Sequence, residues 1–160
     1  MTAFVQLLLL LLVANGAPVI ARYLLGATAN RPLDGGRLFA DGQPWLGPSK
    51  TYRGVAAALL VTTCAAWIMG LSPGIGLQVA VAAMLGDLVS SFAKRRLRIA
   101  PSDMALGLDQ IPEALFPALL VQTQMGISLA ETAGVVAAFL LLGLLLSRLL
   151  FAVSIRKRPF

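Results

Sequence analysis

The residues best suited to chemistry begin with an acid that lies inside an apolar stretch. Asp87 is followed by a cluster of bases that starts at Lys94. On a helix, Asp87, Ser91, Lys94 and Arg98 share one face and form a line from the apolar interior to the polar surface. A carboxylate can hold a divalent cation while bases neutralise phosphate oxygens. The line favours a metal–polyphosphate site; the alternative is a structural Asp87–Lys94 pair beside an ordinary basic cluster.

A second candidate site is the segment 48–54, Pro-Ser-Lys-Thr-Tyr-Arg-Gly, which precedes another apolar run. Ser49 or Thr51 can cap a helix that begins here, and Lys50 and Arg53 then share a face near its positive end. The Walker A pattern of phosphate-binding loops is absent. The composition fits a phosphate cradle and a membrane-surface anchor equally well.

Two further acids, Asp109 and Glu113, precede a later apolar run, with Pro112 between them. An Asp before a helix and a Pro in its first turn are typical of a helix N-cap. The sequence alone favours this cap for Asp109. The alternative is a second acid that faces Asp87 and completes a metal pocket.

Asn15 and Pro18 interrupt the first apolar run, and Asp34 lies in the polar segment that follows it. Asn15 and Pro18 should face protein, because each leaves polar groups that lipid cannot satisfy. They either line the site or join helices. Asp34, which precedes Gly35 and Gly36, is most simply a turn residue.

Hydropathy indicates that membrane helices position these residues. The 160-residue chain is 58% hydrophobic and 12% charged, against about 25% charged in soluble domains. Its apolar runs approach the roughly 20 residues that span a bilayer. We predict an all-α integral membrane protein, a single domain over residues 1–160 with about five transmembrane helices. The predicted spans are Ala3–Leu25, Val55–Leu71, Gly74–Phe92, Ala114–Ile127 and Thr132–Val153. The fourth is short and contains Pro117, so we expect it to be tilted, kinked or not fully spanning.

The basic residues predict which side of the membrane each segment occupies. They lie in two long connections, about 26–54 and 93–112, at the adjoining helix ends and in the tail at 156–158. Under the positive-inside rule these segments are cytoplasmic and the amino terminus is outside. We therefore expect a multi-pass protein of the inner (cytoplasmic) cell membrane whose active site faces the cytoplasm. An acid inside the membrane, as Asp87 would be, usually has a function.

Several other classes of protein are disfavoured. The net charge of +6 could suggest nucleic-acid binding, but aromatic residues are few and the bases adjoin hydrophobic spans. The lone Cys64 excludes a disulfide framework within the chain. No basic residue precedes the first apolar run and Arg22 follows it, which favours a retained helix over a signal peptide. The glycines of 134–143 leave a homo-oligomer open.

The order of five motifs resembles that of the CDP-archaeol synthase family, which is related to the phosphatidate cytidylyltransferases, and specifically a bacterial-type member. The resemblance covers residues 15–113. The motifs are Asn15-Gly16-Ala17-Pro18, Pro32-Leu33-Asp34-Gly35-Gly36, Lys50-Thr51-Tyr52-Arg53-Gly54, Gly86-Asp87 to Lys94-Arg95-Arg96-Leu97, and Leu108-Asp109-Gln110.

The resemblance implies an enzyme of phospholipid biosynthesis. Such an enzyme transfers CMP from CTP to a lipid phosphate, with Mg²⁺ as cofactor, and releases a CDP-lipid and pyrophosphate. The implied catalytic residues are Asp87, Lys94 and Lys50. The implied substrate-binding residues are Asn15, Asp34, Lys50, Arg53, Lys94, Arg95 and Arg96.

The implied metal ligands are Asp87 and Asp109, and the sequence departs from the family pattern beside the second of them. The related enzymes tend to carry another acid three residues after that position, where this chain has Pro112 followed by Glu113. Either Glu113 substitutes for that acid, or the metal site has one carboxylate fewer.

Three other functions remain as alternatives. A small transporter lined by Asp87 and Asn15 would need polar residues through the full bilayer depth, and the outer halves of the spans lack them apart from 122–124. A CDP-alcohol phosphotransferase would need its Asp-Gly-x-x-Ala-Arg motif, which is missing. A non-catalytic helix bundle would leave the depth of Asp87 unexplained.

Overall fold

The protein folds into five α-helices joined by two long and two short connections. The computed structural model describes residues 1–100, 105 and 107–152, and the side chains of these up to residue 145. The helices are α1 (Ala3–Leu25), α2 (Tyr52–Ile68), α3 (Pro73–Arg96), α4 (Gln110–Met125) and α5 (Leu129–Ala152). The predicted all-helical class is confirmed.

Local sequence signals account for the helix starts. Thr2 and Thr51 cap α1 and α2 by accepting hydrogen bonds from the backbone N–H groups of Val5 and Gly54. Ser72 caps α3 in the same way, and Pro73 occupies the first turn, where its missing N–H costs nothing. Ser128 and Glu131 bond reciprocally to each other's backbone N–H groups at the start of α5.

Helix α3 is central, because it packs against α1, α2 and α4. Glycine permits the two closest approaches. A Cβ at Gly76 would lie 2.6 Å from Cβ of Ala66 on α2, and one at Gly86 would lie 2.3 Å from the carbonyl oxygen of Pro112 on α4. The buried core between the helices consists of leucine, alanine, valine and phenylalanine side chains such as Leu10, Val79 and Phe139.

The surface of the helices is strongly apolar. Trp67, Ile68, Leu60 and Leu141 are each at least 65% exposed, as expected for side chains that face lipid. By length and hydropathy, α1 and α3 could each cross a membrane, and two shorter apolar helices, Tyr52–Ile68 and Leu129–Leu145, accompany them.

The observed bounds correct several predicted ones. Helix α3 continues past Phe92 to Arg96, so the second long connection begins after Arg96 and not at residue 93, and Lys94 lies on the helix, as the predicted line with Asp87 requires. Arg98 has a positive φ of 58° just beyond the helix end, which removes it from the predicted line with Asp87. Helix α4 begins at Gln110, four residues before its predicted start, and this places Glu113 in its first turn. The basic tail at 156–158 lies outside the described residues.

Candidate active site

The centre of the site is an ion pair between α3 and the connection that precedes α2. The ammonium group of Lys50 lies 2.6 Å from each carboxylate oxygen of Asp87, and both side chains are about 20% exposed. Lys50 is held in place because Thr51 caps α2 immediately after it. The structural Asp87–Lys94 pair considered from the sequence is therefore wrong: Asp87 pairs with Lys50.

A second ion pair joins the end of α3 to the start of α4. Lys94 lies 2.9 and 3.0 Å from the two carboxylate oxygens of Asp109, which also accept a hydrogen bond from the N–H of Ala105. Asp109 stands at the N-cap position but makes no capping hydrogen bond through its side chain. The cap favoured by the sequence is thus incorrect, and Asp109 binds a base.

Glu113 is the third acid of the site. Its side chain lies near Asp87, Asp109 and Lys50, close enough for their charges to act on it. The close approach of Gly86 to Pro112 sets this position, because it brings the first turn of α4 against α3. Pro112, where the resemblance implied an acid, therefore lies at the helix contact that brings Glu113 near Asp87.

The chemistry of these acids suits a hard divalent cation. Two neighbouring carboxyl groups, as of Asp87 and Glu113, are stabilised when a cation lies between their oxygens. No group of three or more Asp, Glu or Cys side chains able to hold a metal is found within the described part of the chain. Mg²⁺ is often held by only one or two carboxylates together with substrate phosphates. The residues present therefore fit such an ion, provided that Lys50 releases Asp87.

Arg96 occupies a different environment from the two lysines. Its guanidinium donates hydrogen bonds to Asp41 at 2.8 Å and to the Pro44 carbonyl at 2.6 Å. The same group lies over the rings of Phe39 and Phe92, 4.5 and 4.9 Å from their centroids. Arg96 thus fastens the turn 39–45 to the end of α3.

Asp34 organises the first long connection through its carboxylate. Its oxygens accept hydrogen bonds from the backbone N–H groups of Gly36, Leu46 and Gly47 at 2.8–3.0 Å. Partial burial alone would raise the pKa of Asp34, but these backbone hydrogen bonds outweigh it and lower the pKa below its ordinary value. Asp34 is therefore the turn residue that the sequence suggested.

The remaining predicted residues lie around this centre. Arg53 donates to the carbonyl oxygens of Gly26 and Thr28. Arg95 is buried at the end of α3. The Asn15 amide donates to the Leu11 carbonyl of its own helix at 3.0 Å, which satisfies it without a second helix.

The structure brings together Lys50, Asp87, Lys94, Asp109 and Glu113, and it holds Arg53 and Arg96 at the periphery. Sequence reasoning missed the partners of Arg96. Asp41 and Phe39 carry no motif, and only the clustering of aromatic residues in 39–45 could have drawn attention to them.

Comparisons with known proteins identify the family. A family model described as CarS-like, CDP-archaeol synthase, matches residues 69–156. A CDP-archaeol synthase of Sulfurisphaera tokodaii is 31% identical over 93% of this chain and 90% of its own length. One from Hyperthermus butylicus is 38% identical over 62% of this chain, and the match spans 60% of that relative's length.

A solved structure described as an intramembrane enzyme for archaeal membrane lipids biosynthesis has a TM-score of 0.70 and 33% identity. The match covers 88% of this chain and 89% of the other. The named relatives are archaeal, so the comparisons give no support to the bacterial-type part of the prediction. The family itself is confirmed: the chain belongs to the CDP-archaeol synthase family.

Proposed function

We propose that this chain catalyses the transfer of CMP from CTP to a membrane lipid phosphate, forming a CDP-lipid and releasing pyrophosphate. The observation that carries the proposal is the ion pair of Asp87 with Lys50, which has the carboxyl group of Glu113 nearby. A carboxylate pair beside an ammonium group is suited to a metal-bound polyphosphate. Family membership supports the same reaction.

The reaction needs no protein nucleophile. An oxygen of the lipid phosphate attacks the α-phosphorus of CTP, a new P–O bond forms, and the bond to the β-phosphate oxygen breaks to release pyrophosphate. Catalysis then consists of positioning and charge neutralisation. The absence of histidine from the sequence is compatible with this chemistry.

We assign roles by position. Asp87 and Glu113 hold the divalent cation, proposed to be Mg²⁺, with Asp109 as a further candidate ligand. When bound, that ion neutralises charge on the phosphate oxygens. Lys50 leaves Asp87 and binds the phosphate chain, and Lys94 exchanges Asp109 for phosphate in the same way. Arg95 and Asn15 stay proposed as supporting residues of the substrate site.

We also propose the arrangement in the membrane. The chain is one domain that crosses the bilayer about five times, with its amino terminus outside and the active site at the cytoplasmic face of the cell membrane. The basic connections support this orientation. At that face soluble CTP can meet a lipid headgroup. An isoprenoid ether lipid is the first substrate to try, because the relatives are named for archaeol.

The direct test supplies purified protein with Mg²⁺, labelled CTP and a panel of lipid phosphates bearing isoprenoid ether or fatty acyl chains. We expect a labelled CDP-lipid and pyrophosphate in equal amounts. Asp87→Asn should abolish turnover. Glu131→Gln should retain it, because Glu131 lies in the first turn of α5, beside the end of α4 that is far from the site. Normal turnover by Asp87→Asn would refute the role of Asp87. Absence of product with every lipid phosphate would refute the proposed function.

A further inference from the structure

The first long connection contains a small β-hairpin beside the end of α3. The backbone N–H of Phe39 donates to the Gln43 carbonyl at 2.8 Å, and the N–H of Trp45 donates to the Arg37 carbonyl at 3.2 Å. We call residues 37–45 the Trp45 hairpin. The proposed reaction gives its exposed side chains no role.

One side of α3 is exposed along most of its length. The exposed side chains are spaced four residues apart and are 40–53% exposed: Leu77, Val81, Leu85 and Val89. Residues at this spacing share one face of a helix. Because α3 is long and apolar enough to cross a membrane, this row is suited to face lipid. Asp87, two residues from Val89, lies on the opposite side of the helix.

The Trp45 hairpin is attached to the carboxyl-terminal end of this row. Phe92 and Arg96, three and seven residues after Val89, continue the same face of α3. The centroid of the Phe92 ring lies 5.6 Å from that of Phe39 and 5.9 Å from that of Trp45. Phe92 is only about 4.5 Å along the helix axis from Val89. The hairpin therefore lies against the lipid-facing side of α3, about one turn from side chains suited to hydrocarbon.

The hairpin itself presents apolar side chains outward. Trp45 is 44% exposed and Leu38 is 63% exposed. Leu38 lies between Arg37 and Phe39, so it points to the side of the hairpin away from the Phe39 ring and from α3. Arg37 faces Trp45 across the hairpin and is also exposed. A tryptophan beside a basic residue is typical of the membrane–water interface, where the ring lies among the headgroups and the base meets their phosphates.

We propose that the Trp45 hairpin lies in the headgroup layer of the bilayer, with the Trp45 ring at the interface and Leu38 directed toward the acyl chains. The partner of this surface is the lipid bilayer itself. Its continuity with the exposed row of α3 is the observation that identifies the partner. The inference does not depend on the proposed reaction.

The hairpin is joined closely to the active site. Its last residue is followed by Leu46 and Gly47, whose backbone N–H groups bind the Asp34 carboxylate. Lys50, the base that pairs with Asp87, follows three residues later. A hairpin anchored among the headgroups therefore holds Lys50 at the level of the bilayer surface.

Tryptophan fluorescence tests the proposal without turnover, because the chain has two tryptophans. Trp67→Phe leaves Trp45 as the single fluorophore. The full chain is reconstituted into phospholipid vesicles whose lipids carry a spin label either next to the headgroup or near the end of the acyl chain. We expect the label next to the headgroup to quench Trp45 more than the label near the chain end, and we expect Trp45 to be protected from acrylamide in the water.

Trp45→Phe is the matched control, since it leaves only Trp67 at the far end of α2. Trp67 is 70% exposed, so the lipid labels should quench it wherever the hairpin lies. This checks that the chain has entered the bilayer.

A second pair of variants, made together with Trp67→Phe, tests Leu38. Leu38→Asp places a carboxylate where burial among acyl chains is costly, so most of the lipid quenching of Trp45 should be lost and acrylamide quenching should rise. Leu38→Phe keeps an apolar side chain and should retain the quenching pattern of Trp67→Phe alone. Because Leu38 is exposed, neither change disturbs the core. Equal quenching in the two variants would overturn the placement of Leu38.

Two results with Trp67→Phe alone would overturn the proposal. Quenching of Trp45 by acrylamide but by neither lipid label would place the hairpin in water. Protection of Trp45 from acrylamide and from both lipid labels would mean that protein, such as a second copy of the chain, covers the hairpin in place of lipid.

Discussion

The first long connection is attached to α3 at two places by ion pairs of similar length but different surroundings. The inner contact is Lys50 with Asp87, at 2.6 Å. The outer contact is Arg96 with Asp41, at 2.8 Å, near the helix end. Nine residues separate Asp87 from Arg96 on α3, about 13.5 Å along the axis. The sequence suggested phosphate binding for both bases.

The surroundings of the inner base favour a change of partner, and those of the outer base oppose one. At the inner contact a second acid, Glu113, lies near Asp87, so a bound cation would have two carboxylates to take the place of Lys50. At the outer contact the Arg96 guanidinium is enclosed by Phe39 and Phe92 and bonded to the Pro44 carbonyl. Removing Arg96 from this environment would cost its ring contacts and several hydrogen bonds at once.

The largest effect is expected at the inner contact. Lys50→Gln should lower kcat by about 10²–10³-fold, because one charge that stabilises the reacting phosphates is lost. Lys50→Arg, which keeps the charge in a different shape, should retain more activity. Steady-state kinetics with saturating CTP and lipid phosphate measures both variants. A kcat for Lys50→Gln near that of the parent protein would make the inner contact purely structural.

The position of Glu113 can be tested through the helix contact that sets it. Gly86→Ala would place a Cβ 2.3 Å from the Pro112 carbonyl oxygen and 2.7 Å from the Glu113 backbone nitrogen. Because backbone must move to accept it, we expect a loss of about 1–3 kcal/mol in stability together with reduced turnover. Thermal unfolding in detergent is the measurement.

Gly16→Ala is the matched control for this substitution, since nothing lies within 4 Å of its added Cβ. It should leave stability unchanged or raise it by up to about 1 kcal/mol, as alanine favours helix. Equal unfolding temperatures for the two variants would contradict the close contact of α3 with α4.

The two roles considered for Arg96 predict opposite changes in KM for CTP when Asp41 at the outer contact is replaced by Asn. If Arg96 only positions the connection, Asp41→Asn weakens the attachment and raises KM for CTP modestly, by about 2- to 3-fold for a partly exposed ion pair. If Arg96 binds phosphate, loss of its competing carboxylate frees the guanidinium and lowers KM for CTP. We expect the rise. Asp41 itself is exposed at the turn and is not proposed to bind CTP. A fall in KM would therefore show that Arg96 binds the nucleotide.

The sequence predicted the helices and the main acids better than it predicted their partners. Apolar runs of near-spanning length identified five helices because lipid-facing surfaces need little more than hydrophobicity. Asp87 was identified because an acid in such a run is costly. Which side chains pair depends on where a long connection folds back. The sequence therefore could not predict that Asp87 pairs with Lys50 and not with Lys94.

The same limit explains Asp109 and Arg96. An Asp before a helix usually caps it, and only the extension of α3 to Arg96 brings Lys94 close enough to compete. Arg96 belongs to a basic run that resembles a phosphate site, and one of the two rings that enclose it, Phe39, comes from the first long connection, far away in the sequence. A cluster of charged residues predicts where a site lies. The role of each charged side chain cannot be predicted until its partners are known.

The smallest effect concerns Asp34, which folds the connection between the two contacts. Hydrogen bonds from Gly36, Leu46 and Gly47 lower its pKa below the ordinary 3.8. A group whose pKa is lowered on folding stabilises the folded state above its unfolded pKa, and that stabilisation is lost as the pH falls through the folded pKa. We therefore expect the connection to loosen at pH below about 3.8, seen as faster proteolysis at the glycines of 35–47 by an acid-active protease.

Asp34→Asn keeps an oxygen acceptor but cannot titrate, so its cleavage rate should be raised at neutral pH and should lack the acid-dependent rise of the parent protein in this window. If the variant and the parent protein showed the same acid-dependent rise, another acid would hold the connection.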